Sequence, residues 1–338
     1  MKNILSFIIA LFLFLNMNAQ ASEIDVLATM QTKTNSQDKV WVGTFQIVWN
    51  DFIDRIVHDI VRFREGTPAY VQDLNNREFS VTDISDDCYY KKVGVITKNT
   101  KKEISKAIKK KFNETSDILD DLNLKPAPNS FIVYAMLKKD FEFLNEFDKL
   151  GKSNFANNKK AEYFGITKHS DKILKRGVKV LFYNNRNDLA VILDTKGKDE
   201  VYIYKNDSNK PFDLIYKEMN RKASKYKGPA TLGRSDELKV PNIKFDIKKA
   251  FKEIENKRVM GTNILISQAM ESIKFDMNNK GVKLKSEAAI TGLLTALPPA
   301  AETPKYFYFD NTFVIFLKEK GKEKPYFALR VSDISNYQ

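Results

Sequence analysis

The sequence predicts an α+β protein, and two kinds of apolar spacing support this prediction. Polar and apolar residues alternate over 269–277, so that Ile273, Phe275 and Met277 fall on one face of a half-buried strand. Over 41–64, apolar residues recur at three- and four-residue spacing, which is typical of an amphipathic helix. With 338 residues, 43% of them hydrophobic, the chain is long enough for one large or two smaller cores.

The N-terminus predicts export. Residues 1–21 contain a single charge at Lys2, an apolar stretch from Ile4 to Leu15, and Ala19-Gln20-Ala21 as a small-x-small cleavage site. This is the pattern of a cleavable signal peptide, and the apolar stretch is short for the alternative, a retained anchor. No cysteine follows it, which argues against a lipoprotein. We therefore expect a secreted or periplasmic protein.

The rest of the chain divides into a polar segment and one domain. Residues 22–39 are predicted to form a flexible lead-in, and 40–338 a single domain. Helices are predicted where apolar residues recur on one face, at 41–64, 99–113, 116–123 and 212–225, with a further helix after Phe251. Strands are predicted where apolar residues alternate or run together, at 131–138, 177–182, 188–193, 200–204, 240–247, 269–277, 306–310, 312–317 and 324–331.

The sequence does not predict an enzyme. Cys88 is the single cysteine, so no intrachain disulfide can form. As a nucleophile it would need a histidine partner, and neither His58 nor His169 lies in a recognisable cysteine-protease signature. We also expect no metal site and no cofactor.

The chain is basic, with a formal net charge of +13, and one predicted helix concentrates that charge. The outer face of 99–113 carries Lys102, Lys106, Lys109, Lys110 and Lys111. It is either a solvated helix face or an anion-binding surface for an acidic polysaccharide or another anionic surface. Nothing indicates specific recognition of nucleic acid.

A long segment, 279–304, separates two predicted strands and is closed by Pro298-Pro299. A loop of this length in a compact domain is usually functional or disordered. Its pattern favours function, because every second residue is apolar or small and could line the buried face of a strand. These residues are Val282, Leu284, Ser286, Ala288, Ile290, Gly292 and Leu294. The alternative is an ordinary edge strand.

This region resembles the C-terminal quarter of a serpin. The resemblance rests on a strand that ends in Asn278-Asn279-Lys280-Gly281, the long loop with its Pro-Pro exit, and the runs at 309–317 and 325–331. Weaker matches continue it over 130–331, so the chain is similar to a divergent bacterial serpin. Several residues depart from the family pattern. Val282, Leu284 and Lys285 replace the small residues that are usual in the hinge. Tyr134 stands in place of an asparagine, Thr312 in place of a proline, and Leu329 in place of a glycine.

The resemblance implies a serpin-like fold, with a large central mixed sheet, a second barrel-like sheet, helices packed around them and a long exposed reactive-centre-type loop. It also implies suicide inhibition of an extracellular serine or cysteine protease, in which the cut loop inserts into the central sheet. The hinge of the loop would comprise Lys280, Gly281, Val282, Lys283 and Leu284. The protease bait would comprise Leu293, Leu294, Thr295, Ala296 and Leu297, with the cut after Thr295.

The small and apolar bait residues suit an elastase-like, chymotrypsin-like or subtilisin-like protease. Two other functions remain open. Leu284 and Lys285 in the hinge favour a non-inhibitory binding module on the same scaffold, and the net positive charge fits a protein that binds envelope polymers. We expect a monomer in each case.

Overall fold

The computed structural model describes residues 24–282 and 303–338. Four α-helices lie in these residues: α1 (Thr44–Phe52), α2 (Ala69–Asn75), α3 (Thr100–Phe112) and α4 (Phe212–Lys225). With them lie nineteen strands, numbered in chain order and grouped below by sheet. The predicted α+β fold is confirmed. None of the described helices is long and apolar enough to cross a membrane.

The largest sheet has seven strands and fills the centre of the core. Its order is β1 (Asp25–Leu27), β2 (Lys39–Val42), β19 (Phe327–Val331), β18 (Phe313–Glu319), β10 (Asp199–Lys205), β9 (Asp188–Asp194) and β8 (Val178–Asn185). Every residue of β10 is buried, which explains its continuous apolar run. Helix α4 covers one face, where the ring of Phe316 meets those of Phe212 and Tyr216.

Strand β1 corrects the expectation of a flexible lead-in at 22–39. It pairs in parallel with β2, and Ile24, Val26 and Leu27 belong to the main core. The turn after β1 is held by paired hydrogen bonds between Thr29 and Thr32. A few apolar residues with a sheet edge to pair with are therefore enough to order a segment that is polar overall.

A second sheet has four strands, in the order β17 (Tyr306–Tyr308), β11 (Glu237–Pro241), β7 (Lys159–Ile166) and β6 (Asp148–Phe155). Strand β17 follows the loop at 279–304 and pairs in parallel with β11. Two further strands, β13 (Lys257–Arg258) and β14 (Leu265–Ile266), form a short hairpin. That hairpin stands where a helix after Phe251 was predicted, which is wrong; Asn256 and Gly261 have positive φ angles that an α-helix excludes.

The remaining strands form two halves that are not hydrogen-bonded to each other. One half is β12 (Ile243–Ala250), β15 (Met270–Asn278), β16 (Gly281–Val282) and β5 (Phe141–Glu142), in that order. The other half is β3 (Tyr89–Val95) paired with β4 (Phe131–Leu137). Strands β4 and β5 follow each other in the chain, so the two halves meet at β5 and separate below it.

Two other helix predictions differ from the structure. Within 41–64, only α1 is α-helical. Residues up to Val42 belong to β2. After α1, a π-helical turn at Ile53–Val57 ends at His58, which has the left-handed conformation. The stretch 116–123 forms turns instead of a helix. There the Ser116 hydroxyl accepts hydrogen bonds from the Ile118 and Leu119 amides and closes a single turn.

Candidate functional site

Strand β16 is the beginning of an extra strand between β15 and β5. Gly281 and Val282 pair with Asn278 and Met277 of β15 on one side, and with Glu142 and Phe141 of β5 on the other, antiparallel to both. The site thus starts as a three-stranded ladder formed by β15, β16 and β5. It lies directly before the long loop in the sequence.

The turn before β16 is anchored to the segment after β5. The Phe143 amide donates to the Lys280 carbonyl, and the Phe147 amide donates to the Asn279 carbonyl, both at 2.9 Å. The Asn279 side-chain amide donates to Glu146 Oε1 at 2.7 Å. These bonds fix the direction in which the chain enters the ladder.

Below β16 the two halves of the layer are separated by a cleft. Its volume is about 680 Å³, and its walls are β4 on one side and β15 on the other. Helix α1 forms the floor with Phe45, Trp49 and Phe52, and residues 114–118 and 122–125 also line it. Stacked aromatic rings hold the floor in place, with Phe45 on Phe251 at 4.0 Å and Phe52 on Phe131 at 5.9 Å between ring centroids.

Glu271 is a buried acid in the wall of this cleft, and its carboxylate oxygens are shielded from solvent. It lies on the apolar face of β15, is 4% exposed, and forms no ion pair with any described residue. Burial raises the pKa of its carboxyl to about 8, and the backbone amide of Phe45 in the first turn of α1 offsets part of that rise. An acid in this position is costly unless something pairs with it.

The other charged side chains that line the cleft lie at its rim. Lys138 pairs with Glu114 at 2.9 Å and Lys274 with Asp117 at 2.7 Å, whereas Lys125 is exposed. These rim charges are paired or solvated. Among the described residues that line the cleft, Glu271 is therefore the acid that has no ion-pair partner.

A second buried polar group surrounds Lys139, which lies between β4 and β5 in the chain. Its ammonium contacts Asp199 Oδ1 at 2.9 Å and also the carboxylate of Glu319, which in turn accepts bonds from the Ser85 amide and hydroxyl. Opposite charges at this distance raise the pKa of Lys139 and lower that of Glu319 despite their burial. Cross-links of this kind tie the segment before β3 to the large sheet.

Cys88 borders the same group. Burial raises the pKa of its thiol to about 11, so it is protonated at neutral pH and a poor nucleophile. His58 and His169 are both exposed, and no group of acidic, histidine and cysteine side chains in the described part of the chain could hold a metal ion.

The structure describes part of the predicted site. Of the predicted hinge, Lys280 lies in the turn before β16, and Gly281 and Val282 form β16. Lys283, Leu284 and the bait residues 293–297 lie outside the described residues, as does the predicted signal peptide. The predicted anion-binding residues all lie on α3 and are exposed: Lys102, Lys106, Lys109, Lys110 and Lys111.

Glu271 was missed by the sequence reasoning. The signal was present, because Glu271 falls in the same alternating phase as Ile273, Phe275 and Met277. An acidic residue in the apolar phase of a strand indicates either a partner or a binding site.

Three of the solved structures similar to this chain are an insect serpin and two thyroxine-binding globulin complexes. The insect Serpin48 of Tenebrio molitor matches at 12% identity and a TM-score of 0.49, over 88% of this chain and 92% of that one. Human thyroxine-binding globulin in complex with thyroxine matches at 12% identity and a TM-score of 0.44, over 85% of this chain and 95% of that one. A further thyroxine-binding globulin complex matches at 12% identity and a TM-score of 0.45, over 69% of this chain and 64% of that one.

No family model matches the sequence, and no curated protein matches it.

Proposed function

We propose that this chain is an exported, serpin-like inhibitor of an extracellular serine or cysteine protease, which acts when its long loop is cut and inserts into the cleft. The observation that carries the proposal is β16. A strand that already lies between β15 and β5, antiparallel to both, provides the first two residues of an inserted strand. The cleft between β4 and β15 continues in the same direction.

The pairing of β16 also sets a register for the rest of the inserted strand. In the antiparallel ladder Val282 lies opposite Met277, so Leu284 would come opposite Phe275 and Ser286 opposite Ile273. Phe275 and Ile273 face the core. The apolar and small residues of the loop would therefore enter on the buried face, as the alternating pattern predicts.

Insertion would provide the driving force for inhibition. Each large apolar side chain that becomes buried contributes about 1.5 to 3 kcal/mol, and the inserted strand would join two halves of a layer that are unpaired along the cleft. If a protease is still covalently attached to the cut end, this movement carries it along. The uncut form is then kinetically trapped.

The direct test is incubation of the protein with elastase, chymotrypsin and subtilisin, followed by denaturing electrophoresis. We expect a covalent complex that survives SDS with at least one of them, and a large rise in melting temperature after a single cut within 290–297. Cleavage without a complex and without a rise in melting temperature would refute the inhibitory function.

One observation favours the second candidate, a non-inhibitory binding module. In the same register Ala288 would lie opposite Glu271, and a methyl group offers nothing to pair with a buried carboxylate. This cost would weaken insertion. A cut chain that melts at the same temperature as the intact one, but still binds a ligand, would support this candidate.

A further inference from the structure

We propose that a small ladder, formed by residues 60–64 and the β13–β14 hairpin, docks on a bilayer surface that contains anionic phospholipid. Its outward face combines exposed apolar side chains with arginines. The inference does not depend on the inhibitory function, because the ladder shares no residue with β16 or the long loop. It adds a place of action to that function, namely a lipid surface.

Backbone pairing holds the two segments of the ladder side by side. Phe63 forms an antiparallel bridge with Val259, and both side chains are buried in the main core. Because successive side chains of extended segments point to opposite faces, the residues on either side of this bridge point outward. Hydrogen bonds of 2.8 and 3.0 Å join the backbones of these residues as two pairs, Arg62 with Met260 and Arg64 with Arg258.

Apolar side chains are exposed on this outward face. Met260 is 54% exposed and Ile60 is 56% exposed. The residue after Ile60 is Val61, which is fully buried, so Ile60 lies in the outward phase. Leu265 is also exposed and pairs with Arg258 in the hairpin, at the border of the cleft. Single exposed apolar residues are common, but a group that shares one face indicates a surface that binds something apolar.

Positive charge predominates around these apolar side chains. In 58–66 and 257–265 the charged side chains are four basic and two acidic ones, which are Arg62, Arg64, Lys257, Arg258, Asp59 and Glu65. Arg62 is exposed and has no ion-pair partner among the described residues. Arg64 donates to a backbone carbonyl at 2.8 Å, which leaves its charge in place. Arg258 pairs with Glu65 at 3.3 Å, but both side chains are exposed, so the pair is weak.

Lipid fits this face better than other anionic or apolar partners do. An acidic polysaccharide would pair with the arginines but leave the apolar side chains without a contact. In a bilayer, the phosphates bind arginine guanidinium groups in a bidentate manner, and apolar side chains enter the boundary between headgroups and acyl chains. A second copy of this chain would bring the same positive face against itself, so like charges oppose that occupant.

The experiment measures sedimentation of the protein with lipid vesicles. It uses the chain without the predicted signal peptide 1–21, because that apolar segment would itself bind lipid. We expect binding to vesicles of phosphatidylcholine with phosphatidylglycerol to be at least about tenfold tighter than to vesicles of phosphatidylcholine alone. Added salt should weaken this binding, because it screens the attraction between the arginines and the phosphates.

Two double variants separate the apolar contribution from the basic one. Ile60→Ser with Met260→Ser removes the apolar side chains, and Arg62→Gln with Arg258→Gln removes two positive charges. Each should weaken binding to the phosphatidylglycerol vesicles by at least about fivefold, because both kinds of contact stabilise docking.

Matched controls carry the same changes at exposed positions elsewhere. Val95→Ser with Leu214→Ser, and Lys168→Gln with Lys172→Gln, should bind the vesicles as the parent does. Thermal melting of all four double variants checks that each one is folded.

A fluorophore reports which face meets the bilayer. In a Cys88→Ser background, NBD attached to Met260→Cys should brighten on the phosphatidylglycerol vesicles, and the same label on Val95→Cys should not. Equal binding to both kinds of vesicle would overturn the proposal. Binding that only the arginine variant weakens would also overturn it, since that result indicates a site for polyanions. So would a dimer in sedimentation velocity that Ile60→Ser with Met260→Ser dissociates, without binding to vesicles, because a second copy is then the occupant.

Discussion

The backbone of Gly281 packs directly against Phe141: a β-carbon on Gly281 would lie 2.3 Å from the Phe141 carbonyl oxygen. This contact is where the hinge of the loop meets β5. Where two backbones lie this close together, only glycine fits, because any side chain would clash.

Gly281→Ala should therefore open the ladder at β16. We expect a loss of about 1 to 3 kcal/mol in the free energy of unfolding, because the added methyl group must push β5 away. Thermal melting and chemical denaturation measure it. Gly197→Ala is the control, since nothing lies within 4 Å of a β-carbon there. Equal losses in both variants would contradict the assignment.

Glu271 should make the protein less stable as the pH rises. Its pKa is raised from 4.5 to about 8 in the folded state, so the folded chain holds this proton more tightly than the unfolded one. The stabilisation that the proton provides is complete below about pH 4.5 and is lost progressively up to about pH 8.

Glu271→Gln lacks this proton equilibrium. We expect it to be more stable than the parent by roughly 3 to 5 kcal/mol at pH 8, with the difference shrinking toward pH 4.5. Urea unfolding at several pH values measures the difference. A constant offset between the two proteins across this range would show that Glu271 does not titrate as its burial implies.

The register of β16 makes a prediction about the loop that rests on the proposed inhibitory function. Ala288→Asp would place a second carboxylate opposite Glu271, and we expect it to abolish the SDS-stable complex. Ala289→Asp changes the neighbouring residue, which would face the other side of the sheet, and should keep most of the complex. The comparison is made by electrophoresis with the protease that the parent traps. Equal loss in both variants would contradict this register.

Lys139→Met should be strongly destabilising. It leaves Asp199 and Glu319 buried without their cation, and breaking a buried pair in this way typically costs about 3 to 5 kcal/mol. The urea midpoint is the measurement. Lys92→Met is the control, because its pair with Glu103 is exposed and should contribute less than about 1 kcal/mol. Similar midpoints for the two variants would argue against a structural role for the buried pair.

The basic face of α3 can be tested on immobilised heparin. Changing Lys106, Lys109 and Lys110 to alanine should lower the salt concentration needed for elution, because all three are exposed on one short helix. Changing Lys168, Lys172 and Lys225 removes the same charge from other exposed positions. If both triple variants elute together, the helix has no special affinity and the net charge alone explains retention.

Much of the fold could be predicted from local pattern. Strands such as β9, β10 and β18 are buried on both faces, so their sequences are continuous apolar runs. Helix α4 has the predicted bounds because its apolar residues keep strict helical spacing and Pro211 precedes it. In these elements the local sequence alone predicts whether the segment is a helix or a strand.

The features that escaped prediction depend on partners far away in the sequence. Strand β1 is ordered by pairing with β2 and by the core, neither of which is visible in the polar composition of 22–39. The burial of Glu271 arises because β15 lies against the first turn of α1, which is far away in the sequence. Periodicity marks such a residue as unusual, but only the topology shows what surrounds it.

The burial of Ile24 in the core has a practical consequence for anyone who handles this protein. An affinity tag or fusion partner joined directly before it would press a foreign chain against the first strand of the large sheet. At the other end Tyr337 is also buried, and the Gln338 side chain donates to the Asn242 carbonyl. A recombinant version should therefore carry a flexible spacer of several residues at the end that is extended. The spacer keeps the added sequence from disrupting the strand pairing of the neighbouring sheet.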